Sequence, residues 1–221
     1  MPELEAEALR VYRRYQREVV EALNLCPWAE RARLEGRVTE RVLLQRSAES
    51  QLSLRAIREL EAMPEIEIAL LIFPQLPLDL RAFERFVAEL READEAQWPL
   101  GAVPFAAAAF HPRALRTSDA PERLIPYIRR SPDPTIQLVR RAVLDRMRQG
   151  PAEGTHFIDL NNFSLEDLPR PDQKPLRARI ASSNAETLSD YGFARFDALI
   201  ADILLDRDAS YARLGETTQW S

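Results

Sequence analysis

The sequence predicts an α/β fold in which about four strands form a mainly parallel sheet flanked by helices. Short apolar runs alternate along the chain with amphipathic stretches long enough for helices, and this order is typical of crossover units around a parallel sheet. The apolar fraction of 46% supplies a real core for a chain of 221 residues. A ferredoxin-like α+β fold, with a mixed sheet and helices on one face, is the alternative.

Each strand is predicted from a short run rich in apolar or β-branched residues. Ile66 to Phe73 is an almost continuous apolar run that stops at Pro74, as expected for a strand covered on both faces. The run that ends at Phe110 is weaker, because it contains Pro104 and four consecutive alanines. The predicted strands span residues 38–45, 66–73, 102–110 and 155–160.

The helices are predicted from apolar residues that recur at three- and four-residue steps. Pro27 suits the first position of a helix that ends near Gly36, so Cys26 lies at or beside its N-cap. The predicted helices span residues 4–23, 27–36, 51–63, 79–98, 135–149 and 184–215, and residues 161–183 are predicted to be irregular.

We expect one α/β domain over residues 1–190 and a helical extension over residues 191–221. The C-terminal helix carries an apolar stripe that packs either against the domain or against a second subunit, so a homodimer through this helix is one alternative. The stripe consists of Leu188, Phe193, Phe196, Leu199, Ile200, Ile203 and Leu204.

Composition excludes several classes of site. The net charge of −5 argues against a nucleic-acid partner. One cysteine and two histidines exclude a disulfide, a cysteine-cluster metal site and a three-histidine zinc site. The single lysine, Lys174, lies in Gln-Lys-Pro, so there is no Walker A loop, and six scattered glycines form no dinucleotide fingerprint. The sequence identifies no cofactor.

The chain shows no feature of a membrane or secreted protein. Its N-terminus is acidic and has no basic stretch followed by an apolar run, as a secretory signal would. The longest apolar stretches are far shorter than the roughly 20 residues of a membrane helix. We therefore expect a cytoplasmic protein without a membrane partner, and the lone Cys26 agrees with a reducing compartment.

Four short motifs occur in a specific order: residues 23–29 (Leu-Asn-Leu-Cys-Pro-Trp-Ala), 70–74 (Leu-Leu-Ile-Phe-Pro), 109–112 (Ala-Phe-His-Pro) and 130–134 (Arg-Ser-Pro-Asp-Pro). Together they resemble the bacterial family called domain of unknown function 1415, over about residues 10–190. The family name implies no activity. The chain departs from the family pattern at Phe73 and Gln137, where many members have histidine. A metal site or proton relay built on those histidines would keep only His111 here.

Cys26 and His111 are the candidate catalytic residues. A thiol beside a helix N-terminus is favoured as thiolate, and a nearby imidazole could act as its base. His111 follows a strand, at the kind of sheet edge where ligands bind in open parallel sheets. The alternatives are structural: Cys26 as a small buried apolar residue, and His111 as a ring that bonds a backbone carbonyl and holds its turn.

Arg129, Arg130 and Ser131 form a candidate anion site before the helix predicted from residue 135. Helix N-termini bind anions through free N–H groups, and arginine adds a bidentate donor for phosphate or carboxylate. Asp133 as N-cap and Pro134 as first helical residue offer the alternative of a rigid helix start without a ligand.

Three functions remain open. The first is an enzyme acting on a small anionic metabolite, with the anion on Arg130, His111 as acid or base and Cys26 as nucleophile. The second is a non-catalytic ligand-binding or protein-interaction module, which predicts a buried, unreactive Cys26. A thiol peroxidase is a third alternative, and it would need a resolving thiol from another molecule.

Overall fold

The computed structural model of the chain describes residues 2–99, 102–115, 120–149 and 176–217. Within these residues four strands are formed: β1 (Val38–Val42), β2 (Ile68–Ile72), β3 (Phe105–Phe110) and β4 (Thr135–Arg140). The helices are α1 (Pro2–Tyr15), α2 (Ala29–Leu34), α3 (Ser50–Glu61), α4 (Leu80–Glu95), α5 (Pro121–Ile128), α6 (Arg141–Gln149), α7 (Leu176–Tyr191) and α8 (Phe193–Arg213). A π-helical segment, Gln16–Glu21, continues α1 directly. The predicted strand at residues 155–160 lies outside the described residues.

The four strands form one mixed sheet in the order β1-β2-β4-β3. β1 and β2 are parallel, whereas β4 is antiparallel to both β2 and β3. The prediction of an α/β fold is confirmed, but the prediction of a mainly parallel sheet is wrong. Helices cover both faces of this sheet, so the ferredoxin-like alternative, with helices on one face, does not describe it either.

The prediction of a mainly parallel sheet is wrong because residues 135–140, predicted as the start of a helix, form a strand that is antiparallel to both neighbours. Ile136, Val139 and Val143 have helical spacing in the sequence, but the segment forms strand β4 and the helix begins only at Arg141. In β4, Ile136 and Leu138 face one core while Gln137 faces the other side of the sheet. Its β-branched residues suit this half-buried pleated environment, which overrides the helical spacing.

β2 is buried on both faces, as its continuous apolar run predicts. Ala69 and Leu71 face a core built with α3 and α4, which we call the α3–α4 face. Ile68, Leu70 and Ile72 face a core built with α1, α5, α7 and α8, which we call the α1–α8 face. The two sides of the same sheet therefore have separate cores.

The C-terminal helices complete the α1–α8 face. Gly192, with a φ of 91°, separates α7 from α8. Phe196, Ile200 and Ile203 of α8 are buried in the same core as α1 and α5, so this part of the apolar stripe is covered by the chain itself. Residues 176–183, predicted as irregular, belong to α7.

Ion pairs connect α8 to α1 at the surface. The guanidinium of Arg10 lies 2.8 Å from a carboxylate oxygen of Asp206, and Arg14 pairs with both Asp202 and Asp206. This arrangement explains part of the alternation of arginine and acidic residues along both helices. Among the described helices, none has the length and apolar character needed to span a membrane.

Candidate functional site

The α1–α8 face encloses a cavity of about 680 Å³. Its floor is the sheet, and its walls come from α1, α5, α7 and the segment that leads into α2. The apolar side chains of the floor include Ile68, Leu70, Ala106, Ala108, Phe110 and Val139. Pockets of this volume with mainly apolar walls are typical of small-molecule sites.

The cavity exists partly because four of the six residues of strand β3 are alanines. Alternation along β3 directs Ala106 and Ala108 toward the cavity, in register with Val139 and Gln137 of β4. Alanine side chains end at Cβ, so the outer part of the sheet fills less of the space beneath the helices than the large side chains of β2 do. The alanine run that weakens the strand in the sequence thus makes room above the sheet.

Cys26 lies on the cavity wall just before α2 and is half-buried. Burial raises the pKa of its thiol to about 11. Hydrogen bonds from the backbone N–H groups of Trp28 and Ala29, and the charge of Arg129, oppose this rise only in part. At neutral pH the group is a thiol, which is a poor nucleophile compared with a thiolate.

Arg129 contributes a cation to the same cavity. Its guanidinium carbon lies 5.3 Å from the centre of the Phe110 ring, and its charge acts on both Cys26 and Tyr15. The backbone carbonyl of Arg129 accepts a hydrogen bond of 3.0 Å from His111 N–H, which fixes the end of α5 against the end of β3.

Further polar groups of the cavity come from residues that the sequence did not single out as a site. The indole Nε1 of Trp28 is buried and has no hydrogen-bond partner within the described part of the chain. Gln137 places an amide on the otherwise apolar floor, and Asn184 of α7 donates a hydrogen bond of 3.2 Å to the carbonyl of Leu25. A glutamine inside an apolar strand is the sequence signal that indicates a polar contact on this floor.

His111 points away from the cavity. Phe110 faces the cavity, so the next side chain along the extended backbone lies on the other side, where the His111 ring packs against Phe83 at 5.9 Å. Nδ1 accepts a hydrogen bond from Arg113 N–H, so in the neutral ring Nε2 carries the proton, and it donates to the carbonyl of Leu78 at 3.1 Å. Burial lowers the pKa of His111, which favours this neutral form.

The structure therefore brings Cys26 and Arg129 to one cavity and does not bring His111 there. The contacts of His111 match the structural alternative, a ring that bonds a backbone carbonyl and holds a turn. Catalytic roles for Cys26 and His111 stay predictions.

Arg130 and Ser131 both have hydrogen-bond partners within the chain. The Arg130 guanidinium lies over the Tyr127 ring at 4.1 Å and donates to the Asp197 carboxylate of α8 at 2.5 Å. The hydroxyl of the fully buried Ser131 donates to the carbonyl of Asp133 at 2.5 Å. Because strand β4 follows them, the helix N-terminus expected beside these residues is not there.

A buried polar cluster joins α8 to the loop before β4. Tyr211 donates a hydrogen bond of 2.7 Å to one carboxylate oxygen of Asp133, and the fully buried Arg207 donates to the carbonyl of Pro132 and to Asp208. Burial raises the pKa of Asp133 to about 6, although Arg207 and Tyr211 both oppose the rise. This cluster lies apart from the cavity and fastens α8.

Among the described residues, no group of three histidine, cysteine, aspartate or glutamate side chains is placed to hold a metal ion. A family model described as protein of unknown function (DUF1415) matches residues 7–170. No curated protein and no solved structure matches the chain.

Proposed function

The chain belongs to the family described as protein of unknown function (DUF1415), and from the cavity on its α1–α8 face we propose that it binds a small, largely apolar molecule with an anionic end. The cavity of about 680 Å³ is the observation that carries this proposal, because it lies within the size range of small-molecule sites. Cys26, Trp28 and Phe110, which line it, belong to motifs on which the family resemblance rests.

The apolar body of the ligand would lie on the sheet. Ile68, Val139 and Ala106 are paired across three strands and form an apolar row of the floor, and burial of hydrocarbon there would supply roughly 25 cal/mol per Å² of area removed from water. Gln137 interrupts this floor with an amide and would give the ligand one polar contact along its length.

The anionic end would lie beside Arg129. A carboxylate or phosphate there would receive the charge of the guanidinium, which lines the cavity wall. The buried indole N–H of Trp28 lacks an acceptor within the described residues, and a ligand oxygen would relieve the cost of leaving it unsatisfied. Cys26 would contact the ligand as a neutral thiol.

A binding module is favoured over an enzyme by the state of the thiol. With its pKa raised to about 11, Cys26 is not a ready nucleophile at neutral pH, and His111 lies on the other side of the sheet. The enzyme remains the second candidate, supported by the backbone N–H groups of Trp28 and Ala29, which favour the thiolate of Cys26 and oppose the rise in its pKa.

Titration calorimetry with dodecanoate tests the proposal. We expect saturable binding of dodecanoate, and weaker binding of dodecyltrimethylammonium, which has the same tail and the opposite charge. Ala108→Leu places a larger side chain in the cavity and should abolish binding while the protein stays folded. Ala109→Leu is the matched control, because Ala109 packs on the α3–α4 face and this variant should still bind.

Two results would contradict the proposal. One is the absence of saturable dodecanoate binding to the full chain. The other is equal loss of binding in Ala108→Leu and Ala109→Leu when both variants show a cooperative unfolding transition.

A further inference from the structure

The cavity has cationic side chains at both ends of strand β3. Arg129 lies at the Phe110 end, where its guanidinium contacts the ring. Arg141 of α6 lines the cavity at the other end, where its backbone N–H donates to the carbonyl of Pro104 just before β3. Arg91 also lines the cavity, although α4 packs on the other face of the sheet, because β3 is the edge strand. The apolar floor lies between these two positively charged regions.

The distance between the two ends follows from the strand. β3 has six residues and therefore five steps of about 3.3 Å, so its ends are roughly 17 Å apart. Arginine side chains are long, and those of Arg129 and Arg141 can extend inward over part of this length. The space between the guanidinium groups therefore suits an extended ligand rather than a compact one.

The two ends differ in their exposure to water. Arg129 is half-buried beside Cys26, whereas Arg91 and Arg141 are exposed at the mouth of the cavity. Arg141 has a long ion pair of 3.7 Å with Glu95, and both side chains are 44% exposed. A pair of this kind is weak, so Arg141 can exchange it for a ligand anion at little cost.

Resting on the proposed function, we infer that the ligand of this cavity carries a second negative charge at its far end, and that Arg91 and Arg141 recognise it. The chemical class is an extended molecule with an apolar middle and an anion at each end, such as an α,ω-dicarboxylate. Its first anion lies beside Arg129 and its second at the mouth.

The test compares dodecanedioate with dodecanoate, which differ only in the second carboxylate. We expect the wild-type protein to bind dodecanedioate about fivefold more tightly, the effect of one partly exposed ion pair. The double variant Arg91→Gln/Arg141→Gln should lose this preference. The shorter dicarboxylate suberate should gain less affinity from its second carboxylate, since it cannot span both ends of the cavity.

The matched control is Arg55→Gln/Arg85→Gln, which removes the same charge from exposed positions that do not line the cavity. It should keep the preference for dodecanedioate, whereas a general effect of net charge would lower the preference in both double variants. Raising the salt concentration should also reduce the preference, because exposed pairs are screened.

The possible failures separate the inference from the proposed function. Equal affinity for dodecanedioate and dodecanoate in the wild type overturns the second anion but leaves the cavity as a binding site. A preference that survives in the Arg91→Gln/Arg141→Gln variant also overturns the inference. If neither ligand binds, the proposed function fails and the inference fails with it.

Discussion

The two faces of the sheet differ in how completely side chains fill them. On the α3–α4 face, Phe73, Phe83 and Phe86 form a compact cluster with ring centres about 6 Å apart. On the α1–α8 face, the same four strands leave a cavity of about 680 Å³. The space that could admit a ligand thus lies on one face of the sheet, whereas the other face is closely packed.

The two faces are also joined to their helices differently. The α3–α4 face is held by hydrocarbon packing, and Arg140 of β4 donates hydrogen bonds to three backbone carbonyls at and just after the end of α3. The α1–α8 face adds a buried polar cluster, in which Tyr211 and Arg207 of α8 meet the loop at Asp133. We therefore expect the two faces to respond differently to mutation and to pH.

Truncation of an aromatic ring should give the largest contrast. Phe83→Ala removes a fully buried ring from the α3–α4 cluster and should lower the free energy of unfolding by about 3–5 kcal/mol. Phe110→Ala also removes a phenyl ring, but at the cavity wall, where packing is already incomplete. It should therefore lower the free energy of unfolding by clearly less than Phe83→Ala does. Urea denaturation measures both variants, and equal losses would contradict the difference between the faces.

The pH dependence of stability should trace to Asp133 on the α1–α8 side. Its folded-state pKa is raised from 3.8 to about 6, so protonation stabilises the folded state. This contribution is fully present below about pH 4 and is lost as the pH rises through about 6. At about 1.4 kcal/mol per pKa unit, the loss amounts to about 3 kcal/mol.

The variant Asp133→Asn should remove this component, because an amide does not titrate in the range. Urea denaturation between pH 4 and pH 7 would show a flatter profile for the variant than for the wild type. Amide hydrogen exchange should place the change in α8 and not in α3 or α4. An unchanged slope in the variant would show that other groups govern the dependence.

Adding a larger side chain should have opposite consequences on the two faces. Ala69 of β2 is fully buried on the α3–α4 face, so Ala69→Leu should overpack the core and destabilise the protein by about 1–3 kcal/mol. Ala108→Leu extends into the cavity and should leave the melting temperature unchanged or higher. A large loss of stability in Ala108→Leu would mean that the space beside β3 is filled.

The smallest expected effect concerns Cys26. Because its pKa is raised to about 11, alkylation by iodoacetamide should increase with pH well above the ordinary thiol value of about 8.5. The same chain unfolded in urea is the control, and it should show the ordinary value. Since Cys26 is the sole cysteine, the mass increase reports on it alone. Folded-state reaction with a midpoint below 8.5 would favour the enzyme instead.

Local sequence patterns predicted those parts of the fold that depend on near neighbours. The apolar run of β2 and the amphipathic stretch of α4 predicted their elements, and the four motifs predicted the family. β4 was mistaken for a helix because three apolar residues happened to have helical spacing. Pairing with β2 and β3, which are distant in sequence, decided its conformation instead.

The site was predictable only in part for the same reason. A motif indicates that Cys26 lies near a helix start, but not that hydrocarbon surrounds it and raises its pKa. The position of His111 after a strand predicts a ring near Cys26, whereas strand alternation directs that ring to the other face of the sheet. The cavity depends on the sizes of side chains from several elements, which no single segment contains.

The packing of α8 has a consequence for where this protein can be divided. The family match ends at residue 170, yet Phe196, Ile200 and Ile203 cover the core that α1 and α5 share, and Tyr211 bonds to Asp133. A shortened chain that stopped at the limit of family likeness would leave one side of its own interior in contact with water. The packed core therefore extends beyond the limit of sequence likeness.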